Sequence, residues 1–157
     1  MLMCGVAAML AFASCSTKST EKADEANAVE VELAEQTDVS LAPVATDGKV
    51  IELDNASLVA PGVKVSQLTV LDFNAVWCGP CRQLTPVLEE MAKKYEGKVT
   101  FISIDVDKFG ELFEAYNLGS SIPAVVFIRP DGETKSFIGT GDLLPAEAFE
   151  ALIEANL

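Results

Sequence analysis

Two cysteines, Cys78 and Cys81, close the run Trp77-Cys78-Gly79-Pro80-Cys81. Sulfur atoms at this spacing suit two kinds of chemistry, reversible disulfide exchange or metal ligation. The rest of the composition narrows the choice. The 157 residues include 4 cysteines and no histidine, which excludes Ser-His-Asp catalysis, Cys-His catalysis and His-ligated metals. A structural zinc needs about four ligands, yet Cys78 and Cys81 are the only cysteines after Cys15. A c-type haem site requires His directly after the second cysteine, and Arg82 stands there. An inert structural disulfide remains open, although closing so small a loop adds little stability. Redox exchange is the chemistry that the placement of the pair favours.

That placement has two parts. Thr69-Val70-Leu71-Asp72-Phe73 is a continuous β-favouring run, suited to a strand buried on both faces. Gly79-Pro80 then marks a turn and a helix start, since proline is tolerated in a first helical turn. Cysteines at i and i+3 of such a turn lie close enough to bond to each other. Cys78 would sit beside the unpaired N–H groups and positive dipole end of the helix, which favour thiolate over thiol. Arg82 adds a positive charge and no acid intrudes on the first turn. Cys78 is therefore expected to attack, and Cys81, one turn deeper, to resolve the mixed disulfide.

The surrounding elements alternate strand and helix. Val50–Leu53 reads as a short strand, followed by an ambiguous turn or helix up to Val65. The helix from Gly79 continues to about Tyr95, with Leu84, Val87, Leu88, Met91 and Tyr95 forming one apolar stripe. Pro86 lies within it and is expected to kink it. Gly97 ends this helix, Val99–Val106 form a strand, and Glu111–Tyr116 a short helix. Ala124–Ile128 and Thr134–Ile138 flank the turn Arg129-Pro130-Asp131-Gly132 as a hairpin. Pro145 opens a last helix that buries Phe149, Leu152 and Ile153. This order predicts an α/β fold, a mixed sheet with helices on both faces.

Residues 1–47 read differently. Met1–Ser14 is apolar and uncharged, and as a helix it would reach only about 21 Å, short of a bilayer core of roughly 30 Å. It is expected to be a signal peptide. Ala13-Ser14-Cys15 resembles a bacterial lipoprotein signal, which implies removal of residues 1–14 and lipidation of Cys15. An ordinary secretory signal with Cys15 incidental, or a cytoplasmic protein, are the alternatives. Cys4 is discarded under either export reading. From Ser16 to Asp47 the chain carries Glu21, Asp24, Glu25, Glu30, Glu32, Glu35, Asp38 and Asp47 against Lys18 and Lys22, without an aromatic residue. Residues 15–47 are expected to form a flexible acidic tether, and residues 48–157 the folded domain. With 24 acidic against 11 basic residues, the chain repels phosphate backbones, so no nucleic-acid partner is expected.

Residues 69–157 resemble the thioredoxin family, whose active-site sequence is Trp77-Cys78-Gly79-Pro80-Cys81 as it stands here. The resemblance implies a thioredoxin fold and further site residues. Asp72 falls where the family keeps a buried acid under the second cysteine. Burial in an apolar strand should raise its pKa and suit it to accept the Cys81 proton. Pro123, after Ile122, corresponds to a cis-proline that presents the Ile122 backbone to an extended substrate, and Gly139 to a glycine near the substrate groove. Trp77, Gly79 and Pro80 are expected to shape the contact surface. Asn74 stands where many members carry Trp, and Phe101 is expected to replace a Lys near the acid. The Thr140–Pro145 segment is slightly longer than the family pattern.

Together these readings imply an exported, membrane-anchored thiol-disulfide oxidoreductase without a cofactor or metal. It would reduce disulfides in envelope proteins and draw electrons from a membrane-bound donor. Gly79-Pro80 resembles the reducing members of the fold. A disulfide oxidase or isomerase, a non-catalytic peptide-binding module, and a soluble periplasmic or secreted location are the alternatives.

Overall fold

The computed structural model describes residues 47–157. The signal segment, Cys15 and the acidic tether up to residue 46 lie outside the described residues. Strand β1 (Ile51–Glu52) is followed by a single 3-10 turn at Ala56–Val59, then β2 (Leu68–Asn74) and α1 (Gly79–Lys94). Next come β3 (Val99–Asp105), α2 (Gly110–Ala115), β4 (Ala124–Ile128), β5 (Thr134–Ile138) and α3 (Ala146–Glu154). The strands form one five-stranded sheet in the order β1-β3-β2-β4-β5. β1 and β2 run parallel to β3, while β4 runs antiparallel to β2 and β5. This is the expected mixed sheet.

Strand alternation sorts the core into two layers. On one face Leu68, Val70, Val99, Phe101, Val125 and Phe127 pack under Leu84, Leu88 and Met91 of α1 and Phe149 and Ile153 of α3. On the other, Leu71, Phe73, Ile102, Ile104 and Val126 pack with Val59, Leu112 and Leu118, from the 3-10 turn, α2 and the chain after it. Helices thus cover both faces. β2 and β4, central in the sheet, are buried along nearly their whole length, which explains the all-apolar sequence of β4 and the lack of polar alternation in β2, where Thr69 and Asp72 are buried with their apolar neighbours. β5 lies on the edge and is correspondingly polar and exposed.

Local differences from the sequence reading have local causes. The first strand is two residues rather than four, although the Leu53 N–H still reaches the Ser103 carbonyl at 2.9 Å. The apolar stripe of α1 buries Leu84, Leu88, Met91 and Tyr95, with Val87 only partly covered. Leu152 of α3 is likewise partly buried rather than core. Helix α1 runs unbroken through Pro86. The missing Pro86 N–H would have served the Arg82 carbonyl; both residues face solvent, where water replaces it. Two X–Pro peptides are cis, Ile122–Pro123 as expected and Leu144–Pro145, which nothing in the sequence marked.

Candidate active site

β2 delivers the chain to the cysteine pair through a tight turn in which the Cys78 N–H bonds to the Ala75 carbonyl at 3.0 Å. Cys78 then takes an extended conformation (φ −80°, ψ 106°) and becomes the N-cap of α1, with Gly79 and Pro80 in its first turn. Its sulfur accepts the Cys81 backbone N–H at 3.1 Å, so it caps the helix in place of the usual hydroxyl or carboxylate. Cys78 and Cys81 are joined as a disulfide, with their Cα atoms 5.3 Å apart. No acid occupies the first turn, and Lys93 and Lys94 end the helix, so the dipole at Cys78 is unopposed. The Arg82 side chain folds back over this turn, its Nη2 3.9 Å from where a Cβ at Gly79 would stand. Its guanidinium donates to the Val76 carbonyl at 3.2 Å and braces the turn.

Asp72 is 5% exposed, on the face of β2 that α1 covers. Burial pushes its carboxyl up to about 7, the Asn74 hydrogen bond acts in the opposite direction, and the negative charge of Glu52 raises it further. The register corrects one expectation. Phe101 pairs with Val70, and the β3 residue beside Asp72 is Ser103. Phe101 lies two residues before Ser103 on the same face of β3, so a displacement of two residues along the strand exchanges the neighbour of Asp72 without changing the face. Asn74, read from sequence only as a departure from the family pattern, donates to Asp72 Oδ2 at 2.9 Å and to Ser103 Oγ at 2.9 Å. Its place two residues beyond Asp72 on one strand was the available signal, because strand residues i and i+2 share a face.

Three chain-distant segments complete the surroundings. Ile122, next to the buried Pro123, packs against the small cluster of Ala75, Cys78 and Cys81. Gly139 has φ +83°, and its N–H donates to the Pro123 carbonyl at 2.7 Å, tying the end of β5 to this loop. Trp77 is 64% exposed and its indole Nε1 donates to Asp107 Oδ2 at 2.9 Å, which fixes the ring after β3. Pro80 is exposed and Gly79 half-buried. Val76 and Ile138 are exposed apolar residues in the same segments, and sequence reasoning did not single them out. Among the described residues no three His, Cys, Asp or Glu side chains are grouped as metal ligands would be.

A helix-capping cysteine bonded to a second one turn later, at the end of a central strand in a mixed sheet, defines a protein-disulfide oxidoreductase. The chain belongs to the thioredoxin family, whose model matches residues 49–155. It is 39% identical over 85 residues to a thioredoxin of Borreliella burgdorferi, covering 54% of this chain and 69% of that protein. It is also 39% identical over 89 residues to Thioredoxin-1 of Drosophila melanogaster, covering 57% and 82%. Among solved structures, a mutant thioredoxin from Halobacterium salinarum superposes with a TM-score of 0.59 at 27% identity, covering 72% of this chain and 95% of the other. Disulfide-containing proteins are accordingly its substrates.

Proposed function

We propose that this protein is an exported, lipid-anchored reductase of disulfides in envelope proteins. The observation that carries the reductive chemistry is the position of Cys78 as the cap of α1, its sulfur receiving the Cys81 N–H while bonded to Cys81. The same Cys81 N–H that holds the sulfur here, with the dipole of the helix end behind it, stabilises a thiolate once the bond is opened. In the reduced protein the Cys78 thiolate attacks one sulfur of a partner disulfide. A Cys78–partner bond forms, the partner S–S bond breaks, and its other sulfur leaves as a thiolate. Asp72, as carboxylate, takes the proton of Cys81. The Cys81 thiolate attacks the Cys78 sulfur and expels the second partner sulfur. Two electrons pass to the partner, with one proton from Cys81 by way of Asp72 and one from solvent. Cys78 and Cys81 end joined.

Exposed Val76, Trp77 and Ile138, with Ile122 beside the sulfurs, supply an apolar surface on which an extended partner segment can lie. Export and anchoring rest on the apolar, uncharged run 1–14 and the small residues before Cys15. The acidic run after it supports a tether that spaces the domain from a membrane surface. An oxidising envelope without soluble NADPH requires a membrane-bound dithiol donor to restore the reduced pair.

The test is a Cys81→Ser trap in the native cell. A reductase so altered accumulates covalent adducts that dithiothreitol releases, and their location identifies the compartment. A protein that only binds peptides accumulates none, and that outcome would overturn the reading. Mass measurement of the mature N-terminus decides whether Cys15 carries lipid.

A further inference from the structure

The two oxygens of the Asp72 carboxyl are not equivalent. Oδ2 accepts a hydrogen bond from Asn74 Nδ2 at 2.9 Å, whereas Oδ1 is buried without a partner. The Asn74 amide is itself fixed. The same nitrogen lies 3.1 Å from the Asp72 main-chain carbonyl and 2.9 Å from Ser103 Oγ on the neighbouring strand. Two N–H bonds therefore serve three acceptors, and all three belong to one small patch bridging β2 and β3. A proton placed on Oδ2 would face the Asn74 N–H, donor against donor. A proton on Oδ1 meets no such conflict.

We propose that Asn74 is a positioning residue for Asp72: anchored on Ser103, it clamps Oδ2 and leaves Oδ1 as the oxygen that exchanges a proton during resolution by Cys81. This rests on the reading of Asp72 as the base for Cys81. The clamp also favours the carboxylate, because a donor stabilises the ionised acceptor more than the protonated one. The other groups around Asp72 give no such help. Glu52 on β1 opposes ionisation, Cys81 is the titratable group on the buried face of α1, and β4 presents Val125 alongside. Asp105 of β3 pairs with Asn74 itself and is a second acid. Asn74 does locally, with a neutral amide, what a nearby cation would do by charge.

The experiment follows the Asp72 carboxyl by carbon-13 NMR through a pH titration of the oxidised full chain, with the pH profile of insulin reduction measured in parallel. Asn74→Ala is expected to move the Asp72 midpoint upward by about one pH unit, the scale of one hydrogen bond to a charged group. The pH profile should move with it. Asn74→Asp, nearly isosteric, replaces the donor by a like charge and should move the midpoint further up; it also answers the question if the alanine variant fails to fold. In an Asp72→Asn background, Asn74→Ala should leave the pH profile in place, which a general loss of structure would not do. An Asp72 midpoint unmoved by both Asn74 variants overturns the clamp while leaving Asp72 as base intact. An Asp72→Asn protein with the parental rate and profile instead overturns the base reading, and with it the catalytic sense of the clamp.

Discussion

Asp72→Asn removes the one acid buried in the central strand, and its effect on stability should depend on pH. The carboxyl titrates near 3.8 when solvated and at about 7 in the fold, with burial the chief cause. Below pH 3.8 it is protonated in both states and costs nothing. Between roughly pH 4 and 7 the unfolded chain ionises while the folded one does not, so the native state loses about 1.4 kcal/mol per pH unit. Above pH 7 both states are ionised and the loss levels off, at a total on the order of 4 kcal/mol. The sign is that of a raised acid: stability is complete at low pH and is lost as pH rises through the folded value. Asparagine keeps the shape and still accepts from Asn74, but it places its own N–H groups where Oδ1 had no partner; that penalty is independent of pH. The assay is urea unfolding of oxidised parent and variant from pH 4 to 8, with the disulfide intact so that no thiol titrates. The variant should gain steadily on the parent up to about pH 7, then hold its lead. Stability curves that run parallel across this range would refute the assignment of a buried, reluctantly ionised carboxyl.

Two further outcomes follow from the site. Gly139→Ala should cost about 1–2 kcal/mol in an unfolding titration, since φ is +83° there and the added Cβ meets no neighbour that would add a clash; a neutral result would mean the backbone relaxes out of the left-handed region. In the reduced protein, iodoacetamide at pH 7 should label Cys78 well before Cys81, because only Cys78 occupies the helix N-cap. Equal labelling, read by peptide mass, would remove the N-terminal N–H groups as the source of its reactivity.

Much of this protein was legible in the chain because the responsible forces are local. The cysteine spacing, the Gly-Pro helix start, the apolar stripe of α1 and the hairpin turn at Arg129–Gly132 each act within one or two turns of backbone. A run such as Thr69–Phe73 announced a strand buried on both faces by the absence of polar alternation. The acid inside that run was visible for the same reason. What the tertiary structure decided are relations between segments far apart in sequence. Only the β2–β3 register puts Ser103 rather than Phe101 beside Asp72, and only that juxtaposition gives Asn74 its second anchor. Only the docking of β5 brings the Gly139 N–H to the Pro123 carbonyl, and only the return of the chain after β3 brings Asp107 to Trp77. β1 is shorter than the run Val50–Leu53, although β3 extends past it at both ends, so the pattern of side chains did not mark where the pairing stops. Hydrophobic pattern determines which face of an element is buried, but register along that face depends on the packing of the whole sheet, and a shift of one residue exchanges every neighbour at the site.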